Sequence, residues 1–113
     1  MLLQWGQHFN IQRPETVESL MYLYRVTGDN MYRDWGKKIF EAFEKYTRVP
    51  VAYASIDNVK NAKHVGYRDK METFYLAETL KYFYMLFSDN ADLFPLDKFV
   101  FNTEAHPLPV FTT

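Results

Sequence analysis

The residues best suited to chemistry stand close together in the segment Phe101–Pro107, which contains a hydroxyl, an amide, a carboxylate and an imidazole. The segment follows a short apolar run typical of a strand, and Pro107 and Pro109 prevent a helix beyond it. Thr103 can offer a cation two oxygen atoms, its hydroxyl and its own carbonyl, and hard cations such as calcium take oxygen ligands. The same residues also suit a plain corner between two strands, so this segment alone leaves both interpretations open.

Carboxylates on two other segments strengthen the cation interpretation. Glu15 and Glu18 are three residues apart at the start of a predicted helix, so they project from one side and repel each other unless something cationic lies near them. Glu78 interrupts an otherwise apolar helix, and burying an unpaired carboxylate costs several kcal/mol. We therefore expect a cation, an arginine or a ligand opposite Glu78. On an arbitrary helix, Glu15 and Glu18 would simply be solvated surface acids.

Two amphipathic helices are predicted in the first half of the chain. The first begins at Arg13-Pro14-Glu15, since proline is favoured in the first turn, and it ends at Gly28. Asp29 and Asn30 can cap the second helix, which ends at Pro50. Apolar residues recur along one face of this second helix at helical spacing, and we expect them to be buried: Tyr32, Trp35, Ile39, Phe43 and Tyr46.

A third helix is predicted from about Lys70 to Phe87, where apolar residues occur nearly all round. A helix of this kind is packed on most sides and belongs inside a larger body. The segment 51–59 alternates loosely and is typical of a short strand, 58–69 is typical of a loop, and Met1–Gln12 forms an irregular start.

Two stretches of the chain resemble each other. The segment Glu18–Tyr24, followed by Asp29 and Asn30, has the same register as Glu78–Tyr84, followed by Asp89 and Asn90. Recurring helix pairs indicate a helical array. The similarity of the two segments would place Glu18 and Glu78 at equivalent positions on neighbouring inner helices. Fewer than three such units do not close a core, so the chain is predicted to be part of a larger domain. Chance similarity between two aromatic helices is the other explanation.

The composition narrows the possible functions. The net charge is −1 and the basic residues are scattered, which excludes an electrostatic footprint for nucleic acid or for an anionic membrane. The absence of cysteine excludes a disulfide framework and a cysteine zinc site. We expect no membrane-spanning segment and no targeting segment within this chain. Aromatic residues make up 19% of the sequence, which favours surfaces that meet more protein or a sugar-like ligand.

Three segments, in this order, resemble the C-terminal part of the class I α-1,2-mannosidases, glycoside hydrolase family 47. They are Arg13–Leu20 (RPETVESL), Phe74–Phe87 (with AETLKY) and Val100–Pro109 (VFNTEAHPLP). The resemblance implies that residues 13–113 are the C-terminal portion of a catalytic domain, preceded by an irregular start at residues 1–12. It implies a mainly α fold, part of an (α/α)7 barrel of paired helices with a C-terminal β-hairpin that plugs one end.

The resemblance also implies an activity and roles for individual residues. The activity is calcium-dependent, inverting hydrolysis of terminal α-1,2-linked mannose during processing of high-mannose N-glycans on glycoproteins. The two carboxyl groups of an inverting glycosidase lie roughly 6.5–9.5 Å apart, one protonating the leaving oxygen and one activating water. The resemblance implies that Thr103 binds the calcium ion and that Glu18, Glu78 and Glu104, on the substrate side, hold the waters around it. It implies that Arg13 and Phe74 contact the sugar. It also implies that Glu15 is the general base.

Several residues and segments that members of that family contain do not occur in this sequence. The general acid, a second catalytic aspartate, the usual disulfide and the N-terminal membrane anchor lie upstream in the family, whose members work in the endoplasmic reticulum or Golgi lumen. We therefore expect this chain to be a fragment that is inactive alone. Two alternatives stay open: a mannosidase-like quality-control factor that binds glycans without turnover, and a helical interaction module without glycan chemistry. The motif Asn102–Pro107 favours the processing enzymes.

Overall fold

A computed structural model describes residues 8–111, which are mainly helical. Helix α1 (Glu15–Thr27) is followed by helix α2 (Asn30–Thr47), and a π-helical turn (Tyr75–Thr79) continues directly into helix α3 (Leu80–Phe87). Two antiparallel strand pairs complete the secondary structure: β1 (Arg48–Val49) with β2 (Ala52–Tyr53), and β3 (Phe99–Phe101) with β4 (Pro107–Pro109). Within residues 8–111, no helix combines the length and apolar character needed to cross a membrane.

The signals at both ends of α1 and at the start of α2 act as the sequence predicts, whereas α2 ends before Pro50. Pro14 immediately precedes α1 with helical backbone angles, and Gly28 ends that helix in the left-handed region with φ 71°. The Gly28 N–H donates to the Tyr24 carbonyl at 2.7 Å, and the Asp29 side chain accepts from the Met31 N–H at 2.9 Å. Helix α2 ends at Thr47, three residues before Pro50, because the chain turns there into the β1–β2 pair.

The hydrophobic core lies where α1, α2 and α3 meet. It joins the buried faces of the three helices to the π turn and to one residue of the β3–β4 connection; its members are Val17, Leu20, Met21, Phe43, Tyr75, Tyr82, Phe83, Met85, Leu86 and Ala105. Helix α2 approaches α3 closely at Gly36, which is buried against Leu86. This core therefore holds the beginning of α1, the π turn and the β3–β4 connection in one body.

The predicted third helix differs from the observed one in two ways. Residues 70–72 are not helical, because the Lys70 carbonyl accepts from the Ser55 N–H at 3.1 Å and so belongs to an extended contact. Packing on most sides is predicted for this helix inside a larger body, and residues 8–111 alone do not complete that packing, since Leu76 is 61% exposed and Tyr84 is 69% exposed.

The predictions for Trp35 and for the segment after α2 are also corrected. Trp35 is 46% exposed and packs edge-on against the Tyr32 ring, so it lies at the rim rather than in the core. The buried face of α2 is instead formed by Gly36, Phe43 and Thr47. The strand expected over 51–59 is reduced to Ala52–Tyr53 in β2.

The beginning of the chain is more ordered than an irregular start suggests, as far as it is described. Residues 1–7 of the predicted start lie outside the described range. Asn10 pairs with Ile56 through two backbone hydrogen bonds, both 2.9 Å long. The segment that precedes α1 is thus hydrogen-bonded, through Asn10, to the segment that follows β2.

Replacing Gly36 by alanine is expected to lower the free energy of unfolding by about 1–3 kcal/mol, the usual cost of overpacking. The added Cβ would lie 2.3 Å from Leu86 Cδ2, so this fully buried side chain must move. In an unobstructed helix the same change stabilises by roughly 0.5–1 kcal/mol. Urea denaturation followed by circular dichroism measures the difference. Leu86→Val in the Gly36→Ala background makes room for the methyl group, so simple additivity of the two losses would contradict this close approach.

Candidate functional site

Four glutamates from three separate elements converge and form what we call the acidic cluster: Glu15, Glu18, Glu78 and Glu104. Glu15 and Glu18 lie in the first turn of α1, Glu78 lies in the π turn, and Glu104 lies between β3 and β4. Burial raises the pKa of Glu78, and three neighbours raise it further: Glu104, through its charge and a carboxyl–carboxyl hydrogen bond, and the charges of Glu15 and Glu18. The four side chains are therefore electrostatic neighbours.

Glu78 is the member of the acidic cluster that carries the desolvation cost, since it is only 7% exposed. The sequence predicts a cation, an arginine or a ligand opposite this carboxylate. Within residues 8–111, none of the salt bridges includes Glu78, and its nearest charged neighbours are other acids. The charged form of Glu78 is disfavoured by burial and by like charge together. A positively charged ligand placed among these groups would relieve both costs.

The connection between β3 and β4, which we call the tip (residues 102–106), is held in one conformation by its own hydrogen bonds. Asn102 Oδ1 accepts from the N–H groups of Glu104, at 3.0 Å, and His106, at 2.9 Å. Ala105 is fully buried with a left-handed φ of 57°, and its carbonyl accepts from Lys81 Nζ at 2.9 Å. Because Lys81 belongs to α3, the tip is attached to the helix that follows Glu78.

Thr103 lies in the tip directly before Glu104, and its side chain is exposed. Among the described residues, neither its hydroxyl nor its carbonyl takes part in a hydrogen bond. Both oxygens are therefore available to a ligand. The side-chain oxygen of Asn102, in contrast, is already used by two backbone donors.

Two tyrosines, Tyr22 and Tyr82, lie near Glu18, a feature that was not predicted from the sequence. Burial raises the pKa of Tyr82, and the Glu18 charge and a hydrogen bond to Glu18 raise it further. Burial and then the Glu18 charge also raise the pKa of Tyr22, whose phenol contacts the Phe101 backbone. Both phenols stay protonated, and the Tyr82 hydroxyl can donate to the Glu18 carboxylate. The four-residue spacing of Glu18 and Tyr22 on one helix was the available signal.

The remaining predicted site residues lie next to the acidic cluster along the chain. Arg13 is exposed and is separated from Glu15 by Pro14 alone. Phe74 is half-buried and immediately precedes the π turn that contains Glu78. Chain connectivity thus gives the site a cationic and an aromatic side chain in addition to its carboxylates. The roles assigned to these residues stay predictions.

The donor chemistry of the site suits a hard cation that has few direct protein ligands. No group of three or more His, Asp or Glu side chains within residues 8–111 is arranged to hold a metal ion directly. The available donors are nevertheless all oxygen atoms, namely those of Thr103 and of the acidic cluster. Calcium takes oxygen ligands in flexible geometries and includes water among them. The residues present therefore fit a calcium ion bound at Thr103 and linked to the carboxylates through water.

Glu78→Gln is expected to stabilise the calcium-free chain at neutral pH. The folded protein raises the pKa of Glu78 above its unfolded value, so the wild-type chain loses stability as pH rises through the interval between those two values. Glutamine keeps the shape and removes the charge. The stability difference between Glu78→Gln and the wild-type chain should therefore be largest at about pH 7. It should vanish at about pH 3, which lies below the pKa of a glutamate in the unfolded chain, about 4.3. Urea denaturation in EDTA at several pH values measures it.

Glu41→Gln provides a matched control for this experiment. Glu41 is an exposed helical glutamate whose carboxylate lies 3.7 Å from Lys37. The same chemical change there should leave the pH profile nearly unchanged. A Glu78→Gln difference that stays constant from acid to neutral pH would show that charge burial is not its cause.

Comparison with known proteins identifies relatives of this chain. The model of the family described as glycosyl hydrolase family 47 matches residues 2–110. The chain is 60% identical over 104 residues to the human endoplasmic reticulum mannosyl-oligosaccharide 1,2-alpha-mannosidase, covering 91% of this chain and 15% of that protein. It is 58% identical over 111 residues to mannosyl-oligosaccharide 1,2-alpha-mannosidase MNS3 of Arabidopsis thaliana, covering 97% of this chain and 18% of that protein.

A solved structure agrees with these sequence matches. The alpha-1,2-mannosidase from Trichoderma reesei superposes with a TM-score of 0.85 at 44% sequence identity, over 92% of this chain and 22% of that chain. The resemblance inferred from the three sequence motifs is thereby confirmed, and the helical fold agrees with that of this relative. The chain spans less than a quarter of the length of each of these three relatives.

Proposed function

The chain belongs to glycosyl hydrolase family 47, and from this premise we propose that its acidic cluster and tip form part of a calcium-dependent site that hydrolyses terminal α-1,2-linked mannose. The observation that carries the proposal is the convergence of Glu15, Glu18, Glu78 and Glu104 next to Thr103. The substrate is a high-mannose N-glycan on a glycoprotein. The complete protein contains further helix pairs that close an (α/α)7 barrel, with the β3–β4 hairpin as its plug.

The names of several relatives support a location for the complete protein. The human, mouse and rat relatives are named endoplasmic reticulum enzymes. We accordingly place the complete protein in the lumen of the endoplasmic reticulum, with the Golgi lumen as the alternative. In either compartment it is anchored to the membrane through an N-terminal segment outside this chain.

Thr103 and three glutamates would hold the calcium ion and its waters. Thr103 would bind the ion directly through its hydroxyl and carbonyl, and Glu18, Glu78 and Glu104 would accept hydrogen bonds from the surrounding waters. When bound, calcium would bind hydroxyls of the terminal mannose and favour a distorted ring. The buried phenol of Tyr82 lies beside the Glu18 carboxylate and can donate to it. The rigid tip fixes the position of Thr103 relative to α3 through Lys81.

The remaining residues act on the sugar and on the attacking water. Glu15 accepts the proton of that water as general base, a role that suits a carboxylate at a helix start beside other charged groups. Arg13 donates hydrogen bonds to the sugar, and Phe74 packs against its apolar face. The general acid comes from the part of the catalytic domain that precedes these elements in the family. This chain alone therefore binds one side of the substrate without cleaving it.

Millimolar calcium is expected to raise the melting temperature of this chain, because a ligand that binds only the folded state stabilises it. At one hundred times the dissociation constant the gain is about 2.7 kcal/mol. Thr103→Ala should abolish the shift, whereas Thr103→Ser keeps the hydroxyl and should retain most of it. Differential scanning fluorimetry with calcium and with magnesium measures these effects. A full calcium shift in Thr103→Ala would overturn the assignment of the ligand.

Glu15→Gln in the complete enzyme is expected to lower kcat by about 10²–10⁴-fold, the usual contribution of a general base. The KM should change little, since glutamine keeps the size and hydrogen bonding of the side chain. Chromatography of mannose released from a high-mannose oligosaccharide measures the rate. Asp34→Asn, an exposed acid on α2, is the control and should leave turnover unchanged.

Two further results of that experiment would redirect the proposal. Release of mannose by the 113-residue chain alone would show that the general acid is not missing from it. Oligosaccharide binding without turnover by the unsubstituted complete protein would identify a glycan-binding quality-control factor instead.

A further inference from the structure

Gln12 has an unusual combination of burial and backbone conformation. Its side chain is fully buried, although it carries a polar amide, and its backbone adopts a left-handed φ of 60°. That region is uncommon for residues other than glycine, asparagine and aspartate. Its side-chain Oε1 is buried without a hydrogen-bond partner in the described part of the chain. A buried unsatisfied oxygen and an uncommon φ both cost stability, so a purely stabilising role does not explain this residue.

The hydrogen bonds of Gln12 join three parts of the molecule. Its Nε2 donates to Thr47 Oγ1 at 2.7 Å, and Thr47 Oγ1 in turn donates to the Phe43 carbonyl at 2.8 Å, at the end of α2. Its carbonyl accepts from Thr79 Oγ1 at 2.7 Å, in the π turn. Its N–H donates to Asn10 Oδ1 at 2.7 Å. Thr47 and Thr79 are themselves almost completely buried, so these bonds are shielded from water.

The chain that leaves Gln12 has little remaining freedom. Pro14 restricts the backbone of Arg13 toward extended conformations, and Pro14 itself has φ −81° and ψ −18° immediately before α1 begins at Glu15. The conformation of Gln12 therefore sets the direction in which Arg13 and Glu15 enter the site. Its second fixed partner, Thr79, directly follows Glu78. One residue thus links the Glu15 end of the acidic cluster to the Glu78 end.

We infer that Gln12 is a positioning residue, which sets the placement of Arg13 and Glu15 relative to Glu78 through its hydrogen bonds to Thr47 and Thr79. The structural part of this inference stands on the hydrogen bonds alone, and its importance for catalysis rests on the proposed function. Gln12 acts through the residues that it positions and does not itself contact the substrate.

Thr79→Val and Thr79→Ser test this inference on the full 113-residue chain. Valine is nearly isosteric with threonine but cannot donate to the Gln12 carbonyl, whereas serine keeps the hydroxyl. Ser55→Ala is the control, because Ser55 carries another buried hydroxyl that lies outside this hydrogen-bond network. Gln12→Asn provides a second test should Thr79→Val not fold, since asparagine adopts left-handed φ readily but is too short to reach Thr47.

The first measurement is the set of backbone amide signals in nitrogen–proton correlation spectra. Thr79→Val should shift the signals of Arg13, Glu15 and Glu78, while Thr79→Ser and Ser55→Ala leave the Arg13 and Glu15 signals in place. The second measurement is calorimetric titration with a high-mannose oligosaccharide in calcium. Thr79→Val should weaken oligosaccharide binding by about threefold to tenfold, the usual effect of one lost hydrogen bond, at unchanged calcium affinity. A purely structural role would lower the melting temperature without this separation of the two affinities.

Two outcomes would overturn the inference. Unmoved Arg13 and Glu15 signals in both Thr79→Val and Gln12→Asn would show that the network does not position them. Equal losses of calcium and oligosaccharide affinity would indicate general destabilisation. If the unsubstituted chain binds neither calcium nor oligosaccharide, the proposed function fails, and the amide signals still decide whether Gln12 controls the geometry of this segment.

Discussion

The structure depends on the placement of one carboxylate, Glu78, among three others. A carboxyl group that is 7% exposed, with acids as its nearest charged neighbours, is opposed by desolvation and by like-charge repulsion at once. A fold maintains such an arrangement only when the elements that carry the charges are fixed by other contacts. Here the fixed elements are the first turn of α1, the π turn and the tip.

Apolar packing supplies much of that fixation. Buried α1 and α3 residues hold the two helices together, so Glu18 and Glu78 are electrostatic neighbours on adjoining elements. The tip is attached by the bond from Lys81 Nζ to the Ala105 carbonyl and by the burial of Ala105 in the core. The π turn adds to this placement, because an i→i+5 turn interrupts the helical register at Glu78, and such turns are frequent at functional sites.

The helix ends around the candidate site and the burial of Glu78 could be predicted from the sequence, because helix signals and charge in an apolar helix are local features. Pro14, Gly28 and Asp29 begin, end and cap their helices as expected, and Glu78 is buried as its apolar neighbours predict. The exposure of Trp35 could not be predicted in the same way, since helical spacing does not fix which edge of an apolar stripe faces the core. The Gln12–Thr79 contact joins residues 67 positions apart, so no local pattern indicates it.

The charge that costs stability in the acidic cluster is also the feature that would attract a cation. If Glu78 were replaced by an apolar residue, the chain would lose the repulsion together with one of the negative charges on which the proposed cation site depends. The fold places two neutral phenols near Glu18, since burial and the Glu18 charge raise the pKa of Tyr22 and of Tyr82, whereas the nearest charged neighbours of Glu78 are other acids. The two glutamates at equivalent positions of the two similar segments therefore have different neighbours, although the local sequences around them are alike.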